Sequence, residues 1–129
     1  MKTILGTDDT VTTCDCCGKK NLKKTVIVDI DGEVLHYGSV CATRWTGLSS
    51  KEIKKAINER HTAAVSAAKA EFYPVFHALM PALETKRIEA RNLGLSGSKF
   101  AEFCKVENGA IRTRQIEIAA AHGVSVYEI

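Results

Sequence analysis

The residues with the plainest chemical meaning are cysteines gathered at two places in the chain. Cys14, Cys16 and Cys17 share the run Cys14-Asp15-Cys16-Cys17-Gly18, and Cys41 stands alone further on. Thiols this close together cannot frame ordinary disulfides, and the odd total of five cysteines fits a reducing compartment better than an oxidising one. Cys14 and Cys17 are separated by two residues, a spacing that lets both sulfurs turn toward one point, while Gly18 permits a tight backbone behind them. The chemistry this predicts is metal binding by Cys14, Cys17 and Cys41, with Zn2+ as the ion. Zinc takes a tetrahedron of ligands, usually from two short segments that each bring a pair. The competing use is a redox pair, but a redox Cys-x2-Cys opens a helix beside a parallel sheet, and no such sheet is predicted here.

Holding these thiols together requires elements on either side. Residues 24–30, Lys-Thr-Val-Ile-Val-Asp-Ile, are β-branched and compact, as a strand should be. Asp31-Gly32 is a dipeptide favoured in tight hairpins, because both positions tolerate positive φ. Residues 33–37 then read as the returning strand. Gly38-Ser39 ends it, and Ser39 is placed to cap a short helix through Cys41, Ala42 and Trp45.

A cysteine knuckle, a hairpin and a helix bearing a further cysteine, in that order, resemble the treble-clef and zinc-ribbon-like class of zinc fingers over residues 14–47. The resemblance implies that knuckle and helix N-terminus clamp the metal together. The helix of that class brings two ligands about three residues apart, yet the residue at that spacing after Cys41 is Arg44. A fourth ligand must therefore come from elsewhere. His36, five residues before Cys41 at the end of the returning strand, is the first choice; His61 and Cys16 are alternatives, and water is another.

Beyond residue 47 the pattern is helical. Ser49 and Glu52 have capping-box spacing. Ile53, Ile57, His61, Ala64, Ala68 and Phe72 then recur at steps of three or four, which marks one helix face. Pro74 is expected to end or kink this helix, and Pro81 to break the next. Leu93-Gly94-Leu95 reads as a glycine stop, residues 98–106 as a short helix with Phe100, Phe103 and Cys104 inward, Asn108-Gly109 as a turn, and residues 111–122 as a last helix closed by Gly123. The reading is α+β: a tail over 1–12, a zinc module over 13–47, and a helical region over 48–129 packed on it as one compact unit.

The hydrophobic share of 45% supports a real core, while the aromatic share of 6% and abundant alanine after residue 56 favour close-packed helices over a sheet-rich interior. No apolar run reaches the roughly 20 residues needed to span a bilayer, and residues 1–6 do not lead into a signal peptide. A cytoplasmic, membrane-free protein is expected. Enzyme motifs fail one by one. No His-x-Glu precedes the knuckle, as zinc deaminases require, and the hairpin and following helix lack the histidines of a ββα-metal nuclease. No phosphate loop, Gly-x-Ser-x-Gly or His-Glu-x2-His is present. The expectation is a non-enzymatic protein.

Two binding functions follow. The formal net charge is only +3, but Lys19, Lys20, Lys23 and Lys24 cluster after the knuckle and Arg44 lies on the predicted metal-bearing helix, so phosphate contacts by nucleic acid are expected near the zinc. Trp45 and Tyr37, if exposed, add stacking surfaces, although Trp45 reads better as packing at the module boundary. A helix-turn-helix over residues 100–121 would expose Arg112 and Arg114, but its connection is too long for the usual turn. The alternative is a protein partner, or a second copy bound through the alanine-rich face at Ala63, Ala64, Ala67, Ala68 and Ala70. Small zinc proteins of this build resemble bacterial and bacteriophage accessory or regulatory factors.

Overall fold

In the computed structural model, which describes residues 2–129, three runs of β-forming residues pair into one antiparallel sheet, and the chain is α+β. The strands are β1 (Lys2–Asp8), β2 (Thr25–Ile30) and β3 (Glu33–Tyr37), in sheet order β1-β2-β3. The hairpin between β2 and β3 turns at Asp31 and Gly32, whose φ values of 53° and 91° are the left-handed pair that this type of tight turn demands. β1 is a correction to the expected tail over residues 1–12. Its Ile4 sits opposite Val28 and is buried in the sheet's core face, which a free tail would leave in water. A register shift between Ile4 and Gly6 leaves Leu5 as the extra residue of a bulge.

Alternation along the strands sorts the side chains. Val26 and Val28 pair with Tyr37 and Leu35, so these four share a face with Ile4; His36 and Ile27, paired with each other, take the opposite face. The core face is covered by α1 (Ser39–Thr46), through Cys41 and Ala42, and by Ile53 from the start of α2 (Ser50–Asn92). Gly38, not Ser39, is the N-cap of α1. The hydroxyl of Ser49 accepts the backbone N–H of Glu52 at 3.2 Å, one half of the expected capping box. Thr25 is the one buried polar residue among those described, and its hydroxyl donates to the carbonyls of Asp8 and Val11 at 3.3 and 3.1 Å, which anchors the end of β1.

The prolines do not break α2. Pro74 and Pro81 both lie inside one helix of 43 residues. Each removes a donor, freeing the carbonyls of Ala70 and His77, but those residues and both prolines are exposed, so water can take the bonds. The residues around them are mostly Ala, Leu, Met, Glu and Lys, strong helix formers that carry the helix through. It ends where glycine predicts. Gly94 has φ 72°, its N–H reaches the carbonyl of Arg91, and that of Leu95 reaches Ala90, the paired bonds of a Schellman stop.

The chain divides into two compact units, one through Ala63 and one over Ala64–Ile129, so the division falls within α2 and not at residue 47. The second unit has its own core of Ala68, Phe72, Leu83, Cys104, Ile111 and Ile118. Its helices α3 (Gly97–Phe103) and α4 (Lys105–His122) meet at Cys104, and a 3-10 turn (Val126–Glu128) follows. The expected turn at Asn108-Gly109 is absent, because both lie in the first turns of α4, where Asn108 donates to the carbonyl of Cys104 at 3.0 Å. The helix-turn-helix reading built on that turn falls with it. No helix among the described residues is long and apolar enough to cross a membrane.

Candidate metal centre

The knuckle is a closed local structure. Cys14 donates its N–H to the carbonyl of Lys19, Gly18 donates to that of Cys14, both at 2.9 Å, and Gly18 takes the left-handed φ of 75° that the fold-back needs. Further on, Asn21, also left-handed at φ 60°, lets Leu22 return to the carbonyl of Thr12 at 3.0 Å. The knuckle is then fastened to the sheet. Asp15 donates its N–H to the carbonyl of His36, and its carboxylate accepts the His36 N–H, each at 2.8 Å. Two bonds between the same two residues hold the cysteine loop beside the strand that leads into α1.

Leaving β3, the chain turns through Gly38 into α1, whose first bond runs from Ala42 to the Gly38 carbonyl at 2.9 Å, and Cys41 is thereby aimed back at the knuckle. The ligand atoms of Cys14, Cys17 and Cys41 all lie within 4.8 Å of one another. A tetrahedral zinc with bonds of about 2.3 Å needs its sulfurs about 3.8 Å apart, so a small inward movement would bring these three to ligand spacing. These three cysteines could hold a metal ion. Cys14 and Cys41 are buried, and Cys17 is exposed.

The thiols differ in their surroundings. Burial pushes the Cys14 thiol up, but N–H donors from Cys17, Gly38 and Cys16 outweigh it and bring it down to about 7. Such N–H groups aimed at a sulfur stabilise thiolate, the form a metal binds. Cys41 moves the other way, pushed up first by burial and then by hydrogen bonding with the neighbouring thiols of Cys17, Cys14 and Cys16. Clustered thiols without a cation oppose one another's ionisation, and a bound metal cation reverses that. A Cβ at Gly38 would meet its neighbours at ordinary contact distance, 3.4 Å from Leu22 Cδ1 and 3.9 Å from Cys14 Cβ.

His36 does not join the cysteines. Its Nε2 lies 3.3 Å from Asp8 Oδ2 and its Nδ1 3.9 Å from Asp15 Oδ2, on the side of the sheet away from Val28 and Tyr37. The expectation that His36 supplies the fourth ligand is corrected by strand alternation, which sends it to the opposite face from the core containing Cys14 and Cys41. His61 is exposed on α2 and is likewise outside the cluster. Cys16 is exposed, with its sulfur accepting the Trp45 Nε1–H at 3.0 Å. Trp45 is thus not boundary packing; it is 47% exposed, and Lys2 Nζ stands 5.8 Å from its ring. Tyr37 is buried at 7% exposure and offers no stacking face.

Lys19, Lys20, Lys23 and Lys24 are all exposed on the segment between the knuckle and β2, and Arg44 is exposed on α1. Asp15, Gly38 and Trp45 carry structural duties around the thiols that their isolated positions in the sequence do not announce. A scan against protein-family models and searches of curated proteins and of solved structures found no match to the chain.

Proposed function

We propose that the first unit is a zinc-stabilised binding module whose basic knuckle segment contacts nucleic acid. The observation that carries the metal reading is the convergence of the Cys14, Cys17 and Cys41 sulfurs to within 4.8 Å. Thiolate sulfur at near-tetrahedral spacing favours zinc over the oxygen-seeking Mg2+ and Ca2+. The core around the site is small, with Ile4, Val26, Val28, Tyr37 and Ile53 as its larger side chains, and a bound metal supplies folding energy where apolar burial is limited.

The nucleic-acid reading is supported by four exposed lysines within six residues of one loop, none of them in an ion pair among the described residues. Unpaired cations on a rigid, metal-pinned loop suit phosphate neutralisation, in which each neutralised phosphate releases a counterion. The test is fluorescence anisotropy with a panel of single- and double-stranded DNA and RNA between about 50 and 200 mM salt, a range over which several phosphate contacts cost orders of magnitude in affinity. Replacing Lys19, Lys20, Lys23 and Lys24 by Gln should flatten the salt slope by about 0.9 for each duplex-DNA phosphate that is no longer neutralised. If nothing binds at the lowest salt, the nucleic-acid reading is dead.

A protein partner, with the metal purely structural, is the second reading. Val106 and Tyr127 in the second unit are 79% and 86% exposed, and apolar surface of that kind favours it. An accessory or regulatory role would then lie in the helical unit, and co-purification of a defined partner that is abolished in Tyr127→Ser would establish it.

A further inference from the structure

The metal reading leaves a fourth coordination position to fill, and the surroundings of the three sulfurs contain a specific candidate. No histidine or carboxylate among the described residues stands with Cys14, Cys17 and Cys41. A fourth thiol belongs to the same knuckle: Cys16, next to Cys17 in the chain, lies outside that 4.8 Å group but is exposed and adjoins it. Cys16 is also held. Trp45, four residues after Cys41 on the same short helix, points its indole N–H at the Cys16 sulfur at 3.0 Å. An exposed thiol with no role would turn freely, whereas this one is fixed from the helix that carries another ligand.

We propose that Cys16 is the fourth ligand and that Trp45 is its positioning residue, giving a site of four thiolates. Resting on the metal reading above, this assignment says what fills the place that His36 leaves. On binding, the Cys16 S–H gives its proton to solvent, and the sulfur electron pair forms the fourth bond to the metal. Four thiolates around a divalent cation leave a net negative charge, which N–H donors aimed at the sulfurs offset. The chain supplies them at both ends: backbone N–H groups of Cys17, Gly38 and Cys16 face the Cys14 sulfur, and the Trp45 indole faces the Cys16 sulfur. Lys2, whose ammonium lies over the Trp45 ring at 5.8 Å, adds positive charge on the same side. Cys14, Cys16 and Cys17 lie within four residues, so the knuckle brings three sulfurs and α1 brings one. That division explains why the helix needs no second ligand at Arg44.

X-ray absorption at the zinc edge on the full-length, zinc-loaded chain counts the sulfurs directly. The wild type should show four sulfurs at about 2.3 Å, and Cys16→Ser should show three sulfurs and one lighter atom. Trp45→Phe should keep four sulfurs while yielding zinc to a competing chelator roughly 10- to 100-fold more readily, as expected when an outer donor is removed. Three sulfurs and a lighter atom in the wild type would overturn the assignment to Cys16 and leave the three-cysteine site intact. A wild-type chain that binds no zinc would overturn both. A Trp45→Phe chain that holds zinc as tightly as the wild type would remove Trp45 from the site and leave Cys16 to the sulfur count.

Discussion

Asp15 and His36 bind each other twice, N–H of Asp15 to the backbone carbonyl of His36 and N–H of His36 to the side-chain carboxylate of Asp15, both at 2.8 Å. This pair sets the distance between the knuckle and the end of β3, and so the distance between Cys14 and Cys41. It assigns His36 a structural part in the site through its main chain, while its ring faces Asp8.

Replacing the histidine ring should therefore leave the metal in place. His36→Ala is expected to retain about one zinc per chain by elemental analysis, as a closed cysteine site requires, whereas Cys14→Ser and Cys41→Ser should each release most of it. A drop in zinc content in His36→Ala comparable to that in Cys41→Ser would return the ring to the metal.

Asp15→Ala removes the charged acceptor of the His36 N–H but keeps the main-chain bond to the His36 carbonyl. The side chain is half-exposed, so the cost should be modest, about 1 kcal/mol, read as a lower urea midpoint for the zinc-loaded chain. Asp15→Asn should recover part of it, because an amide oxygen can still accept the bond.

Gly38 offers a test of the N–H donors. Its φ of −63° suits proline, so Gly38→Pro removes the donor to Cys14 without forcing the dihedral. The Cys14 thiol should then rise and zinc affinity fall by roughly 10- to 100-fold. Gly38→Ala keeps the N–H and adds a methyl at 3.4 Å from Leu22, an ordinary contact, and should stay close to wild type. Equal reductions in the two variants would show that space, not hydrogen bonding, governs the position.

Proton release on zinc binding carries the signature of Cys14. With its thiol near 7, Cys14 is mainly protonated at acid pH and mainly thiolate at alkaline pH. Its folded value is depressed, so the stability it contributes is present above the unfolded thiol range and fades as pH falls through about 7. Calorimetry in buffers of different ionisation enthalpy should find about one more proton released per zinc near pH 5.5 than near pH 8. The same count at both pH values would place the Cys14 titration elsewhere.

The two prolines of α2 predict gains. Pro74→Ala and Pro81→Ala each restore a helical N–H at an exposed position, and proline costs up to about 3 kcal/mol relative to alanine inside a helix. Part of that is offset, since alanine gives the unfolded chain more freedom. A rise in thermal midpoint for each is expected, without change in zinc content.

The sequence alone determined the local choices. Two-residue spacing marked Cys14 and Cys17, Asp31-Gly32 marked the hairpin, and glycines marked the ends of α2 and α4, because each of these is settled by backbone preference over a few residues. Tertiary structure decided what depends on partners distant in the chain. Residues 2–8 became a strand only because β2 offered an edge and a core for Ile4, and α2 outlasted its prolines because the freed carbonyls face water. His36 stands five residues before Cys41 and Cys16 directly before Cys17, and spacing alone ranked His36 first. Alternation across the sheet carries the His36 ring away from the thiols, while an indole on α1, the helix that bears Cys41, donates to the Cys16 sulfur.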